Sequence, residues 1–212
     1  MKRLIYILRH GETALNKQKI VQGSGIDSSL NDHGLAQANA FYQAYKNENF
    51  DFVFTSGLKR TQQTVHQFLL DGIPYQVFEE LNEISWGPHE GKLPNDESLQ
   101  DFNRIVADWK NGDYDSKVPG AESAQELNKR MQNFVSHFNK TEFKKTLICT
   151  HGRALRCLLT VLNEEPLKDM DKYRHHNTGL YIFEQENGKY NKLVHNDTTH
   201  LTNANLNVID WS

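Results

Sequence analysis

The sequence predicts an α/β protein, a three-layer α/β/α sandwich around a largely parallel central sheet. Two observations carry this. Short β-favouring apolar runs alternate with longer helix-like stretches, the order that builds a parallel sheet covered by helices. Each apolar run also gives way at its carboxyl end to polar residues or glycine, as a strand entering a loop does.

In chain order, Arg3 to Leu8 is the first strand, followed by a helix from His33 to Lys46 for which Asn31 is a plausible N-cap. Phe50 to Phe54 is a second strand and Leu58 to Leu70 its helix. Between Ile84 and Ala121 glycines, prolines and aromatics break the pattern around one helix-like piece, Leu99 to Lys110, which reads as a short lid insertion over the strand ends. Glu122 to Asn139 is helical, Thr146 to Thr150 is a third strand, and Ala154 to Leu162 is its helix. Gly179 to Glu184 and Lys189 to His195 alternate about Asn187-Gly188, a dipeptide suited to a tight hairpin, and read as late strands near a sheet edge. No repeat, low-complexity tract or flexible linker interrupts the chain, so residues 1–212 read as a single domain with 84–121 as the lid insertion.

The 212 residues are 37% hydrophobic and 24% charged, ordinary for a soluble globular protein. A formal charge of −3 argues against a general nucleic-acid or anionic-membrane binder, so any basic site must be local. The apolar run after Met1-Lys2-Arg3 is too short for a leader, and no run approaches membrane-spanning length, which makes a cytoplasmic location the default expectation. Cys149 and Cys157 do not form a secreted disulfide framework and read as small buried apolar groups. His175 and His176 are adjacent and so point apart in regular structure; with no zinc or di-metal spacing nearby, neither a metal site nor a cofactor is expected. The pair reads instead as lining the rim of a site, just before the late strand. Trp86, Trp109 and Trp211 fit core, lid or interface equally, and the sequence carries no reading of oligomeric state.

In an open parallel sheet, ligands bind beyond the carboxyl ends of the strands. Here those ends read Arg9-His10-Gly11-Glu12-Thr13, Thr55-Ser56-Gly57-Leu58-Lys59-Arg60 and Thr150-His151-Gly152-Arg153. Two histidines and two arginines thus converge with several helix N-termini, an electropositive place rich in amide donors that suits a phosphate. A glycine after each histidine permits a tight turn or close backbone approach.

These residues resemble the histidine phosphatase superfamily, also called the phosphoglycerate mutase-like family. Arg9-His10-Gly11-Glu12-Thr13 looks like its signature, and further segments follow in order: Gln22-Gly23 with Asp27 and Leu30, Ser56-x-Leu58-x-Arg60-x-x-x-Thr64, Leu81-x-Glu83-x-x-x-Gly87-x-x-Glu90-Gly91, and His151-Gly152-x-x-Leu155-Arg156. Pro119-Gly120-Ala121-Glu122-Ser123 is similar to a further family stretch before a long helix. The resemblance runs from Ile5 to Arg156.

The resemblance implies roles that chemistry supports. His10 is the expected nucleophile, a neutral imidazole nitrogen that attacks phosphorus and carries the phosphoryl group as a labile phosphoramidate. Arg9, Arg60 and His151 are expected around the transferring oxygens, His151 protonated beside the bound anion. Glu83 is the implied general acid, with Trp86 as an apolar neighbour. Thr13, Asn16, Gln22, Gly23 and Gly152 are implied substrate contacts, although ordinary loop capping also fits the first four; Glu12 and Glu90 read as structural acids holding Arg9 or a loop amide.

Some positions depart from the family pattern. Arg153 stands where relatives often carry a small or amide residue, and is either a solvated helix-start side chain or a contact to a second negative group. Cofactor-dependent mutases carry adjacent arginines in a longer insertion, whereas the segment between Glu83 and Glu122 offers only Arg104, Lys92, Lys110 and Lys117. A mutase must shut out water while its intermediate reorients, so a short lid favours hydrolysis. The expected function is a metal-independent phosphomonoester hydrolase acting on a small phosphorylated metabolite. The alternatives are mutase-type transfer and a non-catalytic phosphate-binding scaffold.

Overall fold

A computed structural model describes residues 2–208, so Trp211 lies outside the described residues. Six strands form one sheet in the order β3-β2-β4-β1-β5-β6: β1 (Arg3–Arg9), β2 (Phe52–Thr55), β3 (Tyr75–Val77), β4 (Lys145–Thr150), β5 (Leu180–Glu186) and β6 (Lys189–Asp197). The first four run parallel to one another, and β5 and β6 add an antiparallel pair. Asn187 and Gly188 both adopt positive φ between β5 and β6, as the hairpin dipeptide predicts.

β1 shows why the sheet is covered on both faces. Ile5 and Ile7 pack on one side with Phe54, Ile148, Leu127, Met131 and Leu158, while Tyr6 and Leu8 pack on the other with Phe41, Val53, Phe68 and Leu147. A strand buried on both faces needs a continuous apolar run, which residues 4–8 supply. The first layer holds α5 (Asp96–Lys110), α6 (Ala124–Phe138) and α7 (Gly152–Leu162); the second holds α2 (Asp32–Tyr45), α3 (Lys59–Thr64) and α4 (His66–Leu70). Short helices α1 (Ala14–Lys17) and α8 (Thr199–Asn203) complete the described chain. None of the described helices is long and apolar enough to cross a membrane.

Caps explain most boundaries. Asn31 accepts from Gly34 N at the start of α2. Ser123 and Glu126 make a reciprocal capping box, so α6 begins at Ala124 and leaves Glu122 outside, paired with Arg130 at 2.6 Å. The helix expected from Leu58 to Leu70 is instead two, parted at Val65. Thr64 Oγ1 donates back to Arg60 O at 2.6 Å and accepts from Gly11 N at 3.0 Å, a side-chain competition of the kind that bends helices. Cys149 and Cys157 are buried and unpaired, and burial pushes both thiols up, out of the reactive range.

Candidate active site

Adjacent parallel strands β1 and β4 end side by side, and His10 N donates to Thr150 O at 2.9 Å. The pairing sets the His10 and His151 rings 5.1 Å apart between centroids. Beyond these ends opens a cavity of about 990 Å³. Of the expected site residues, Arg9, His10, Asn16, Gln22, Glu83 and Gly152 line it; Trp86, Phe102, Ile105 and Val106, all within 84–121, form an apolar wall. Trp109 is buried beneath that wall, its ring 6.0 Å from Trp86.

His10 Nδ1 lies 2.7 Å from Gly11 O. A carbonyl can only accept, so Nδ1 carries the proton and Nε2 keeps its lone pair. Burial, reinforced by Arg60 and Arg9, holds the imidazole well below the usual histidine range. Asn177 Nδ2 donates to His10 O at 2.9 Å, tying down the backbone beneath the ring. Burial lowers Arg9 to about 10, which leaves it charged at neutral pH.

Thr13, Gly23, Arg60 and His151 do not line the cavity; they lie behind it. Thr13 caps α1, its hydroxyl accepting from Asn16 N and from Gln22 Nε2, so loop capping describes it better than ligand contact. Arg60 is fully buried and donates to Ile26 O at 2.6 Å, Gly23 O at 3.3 Å and His151 Nδ1 at 3.1 Å. Because a guanidinium only donates, His151 Nδ1 is an acceptor and the ring is neutral here, its Nε2 hydrogen facing Ser56 Oγ at 2.8 Å. Protonation of His151, expected from the sequence, requires Arg60 Nε to give up that bond. Burial, then Arg60, holds His151 well below its ordinary value.

Glu83 is held by the start of α7. Its carboxylate accepts from Arg153 N at 3.1 Å and Ala154 N at 3.0 Å, and from Ile84 N at 2.9 Å. Glu90 is a staple: Oε1 accepts from Trp86 N and Ser85 Oγ, and Oε2 from Gly25 N. The Glu12 carboxylate accepts from Asn31 Nδ2. Close backbone approach explains Gly11: a Cβ there would stand 2.7 Å from Gly34 O, and one on Gly34 would stand 2.0 Å from Glu12 O. Gly34→Ala is therefore expected to destabilise the fold by about 1–3 kcal/mol through overpacking. Urea unfolding reads this, and an unchanged midpoint would show that the loop gives way freely.

Several lining residues carry roles that the sequence did not assign. Arg153 is buried rather than solvated, and both it and Arg156 pair with Asp171. His175 is the rim histidine of its pair: Nδ1 lies 3.2 Å from Arg9 Nη1, and a Cβ on Gly152 would come 3.0 Å from its Cε1. Burial and the surrounding arginines hold it well below the usual range. Position alone could have found His175; Asp171 carried no sequence signal.

Residues 5–198 match the histidine phosphatase superfamily (branch 1). The chain is 41% identical over 91 residues to mouse (Mus musculus) fructose-2,6-bisphosphatase TIGAR, a match covering 41% of this chain and 34% of that protein. The chain thus matches about a third of the length of that relative. It is 31% identical over 179 residues to the probable phosphoglycerate mutase GpmB of Yersinia pestis, covering 83% of this chain and 82% of that one. A solved variant of Entamoeba histolytica phosphoserine phosphatase, in complex with phosphoserine, superposes with a TM-score of 0.79 at 25% identity, covering 94% of this chain and 99% of that one.

Proposed function

This chain belongs to the histidine phosphatase superfamily, and from that premise we propose that it is a metal-independent phosphomonoester hydrolase acting on a small phosphorylated metabolite through a phosphohistidine at His10. The observation that carries the reading is the tautomer of His10: a buried, neutral imidazole with Nδ1 tied to Gly11 O and Nε2 left as the nucleophile, at the wall of a cavity shared with Arg9 and Glu83. Two unpaired, buried cysteines accord with a cytoplasmic setting.

In the first step Nε2 forms a bond to phosphorus as the bond to the ester oxygen breaks, and Glu83 passes a proton to the departing alkoxide. In the second, water attacks phosphorus, the P–N bond breaks back to His10, and Glu83 takes the water's proton. Arg9 neutralises charge on the transferring oxygens, and Gly152, without a side chain, lets the phosphoryl group approach the positive N-terminus of α7. Arg60 and His151 form the supporting layer and join the anion if the Arg60–His151 bond opens on binding. Among insertion residues, Arg104 is engaged with Asp101 and Asp108 and does not line the cavity, leaving Lys92 and Lys110 but no arginine pair there, which favours hydrolysis over mutase-type transfer.

Phosphate release from p-nitrophenyl phosphate in excess chelator, with rapid acid-free quenching to trap label on the native chain, tests the reading. Chelator-resistant turnover with an acid-labile, base-stable phosphoryl adduct is expected; turnover without an adduct would remove the covalent route. For Glu83→Gln the expected loss is about 10²- to 10⁴-fold on an alkyl phosphate and much smaller on the aryl ester, whose leaving group needs no proton. Equal losses on both esters would deny Glu83 the acid's role.

A further inference from the structure

Two arginines at the start of a helix oppose its dipole, since the N-terminal end is already positive. α7 nevertheless carries Arg153 and Arg156 there, with no acid in its first turn. Both are more than nine-tenths buried, and both line the cavity that holds His10 and Glu83. They share a single counter-ion: Asp171 Oδ1 accepts from Arg153 Nη1 and, at 2.6 Å, from Arg156 Nη1. Asp171 sits in the 3₁₀ turn Leu167–Lys172 and lines the same cavity.

One bonded carboxylate does not balance two buried guanidiniums, and the nearby Glu83 also faces Arg9 and Arg60, so positive charge is in excess here. Arg156 Nε is buried and donates to no acceptor. The Arg153 guanidinium is 5.5 Å from the Trp109 ring and 5.9 Å from Phe102, so it is held in place by stacking as well as by Asp171. Among the described residues, eight lysines and arginines line the cavity against the carboxylates of Glu83 and Asp171, far more cations than one phosphoryl group requires. The cluster is also next to the chemistry: Arg153 N is the amide that donates to Glu83 at 3.1 Å.

Resting on the phosphatase reading, we propose that Arg153 and Arg156 form a second anion subsite. The substrate carries, besides the phosphoryl group passed to His10, another anionic group, carboxylate or phosphate, and the two guanidinium forks bind it while Asp171 keeps them in register. Arg153 and Arg156 lie one helical turn apart, ~5 Å, so both forks can reach a single anion.

The test uses non-hydrolysable phosphonates, so it reads binding whether or not the chain turns over an ester. Dissociation constants of propylphosphonate, 3-phosphonopropanoate and propane-1,3-bisphosphonate are measured calorimetrically on the native chain. At least one doubly anionic probe is expected to bind ~10- to 100-fold tighter than propylphosphonate. An advantage for the phosphonopropanoate alone names a carboxylate, and one for the bisphosphonate alone names a phosphate. In Arg153→Gln and Arg156→Gln, each checked for native unfolding behaviour, that ratio is expected to fall about tenfold. Equal binding of all three probes by the native chain would overturn the subsite, as would a ratio that survives both substitutions. Failure of the aryl phosphate assay with the ratio intact would instead remove the phosphatase reading and leave a binding site for a doubly anionic ligand.

Discussion

His10→Ala is expected to lower kcat/KM on an aryl phosphate by about 10⁴-fold or more, and to abolish the trapped phosphoryl adduct altogether. The size follows from the position of the side chain. Arg9 and the N-terminus of α7 can still bind a phosphate in the variant, but neither neighbouring histidine can replace the lost nitrogen without breaking a bond: His151 Nδ1 accepts from Arg60, and His175 Nδ1 from Arg9. KM should change far less than kcat, because the cations that hold the anion remain. A variant that keeps a tenth or more of native activity would place the nucleophile elsewhere or make water the direct attacker. In the native chain the pH profile should show no limb near 6.5 from His10, since burial and two arginines hold it well below that value and keep it neutral as the pH falls.

The same burial makes the fold sensitive to acid. His10, His151 and His175 are all held well below the ordinary histidine value, and His200 is lowered to about 4, in each case chiefly by burial. His200 stacks edge-on against Phe41 and Tyr45, and its buried Nδ1 has no acceptor. When a histidine's folded value is depressed, the unfolded chain binds more protons below about pH 6.5, so the stability present above that pH is lost as the pH falls towards the folded value. Between pH 6.5 and 5.5 each such group loses about 1 kcal/mol, and four together lose about 4 kcal/mol, a large share of the stability of a typical domain. Carboxylates held low by partners, such as Glu48 beside Lys145 and Asp51 under two backbone amides, enter only below about pH 4.5 and do not confuse the window. Urea unfolding at pH 7.5 and 5.5 measures the difference. A flat result would mean that these rings protonate in the folded chain as readily as in the unfolded one.

The buried strands were legible because a strand covered on both faces must be largely apolar, as residues 4–8 and 147–149 are. β3 was not, since Tyr75, Gln76 and Val77 are all exposed and three residues carry no periodicity. The break at Val65 depends on Gly11 N reaching Thr64 from fifty residues away, which no local pattern encodes. At the site, strand-end position led directly to His10 and Arg9, and the resemblance led to Glu83. Whether a polar group faces the ligand or backs another side chain depends on three-dimensional partners. Thus Arg60 and His151, expected around the transferring oxygens, are buried and hydrogen-bonded to each other, while Arg153 could be weighed only once Asp171, eighteen residues on, was seen beside it.

Strand order has a consequence for biosynthesis. β1 lies between β4 and β5, with Leu4 facing Lys145 on one side and Glu184 on the other. As the ribosome releases the chain, the strand bearing Arg9 and His10 has no sheet neighbour until β4 has emerged, a wait on the order of ten seconds at usual elongation rates. During that interval its apolar run is an unpaired edge open to chaperones and to other nascent chains. The strand ends that carry His10 and His151 come together only with the last third of translation.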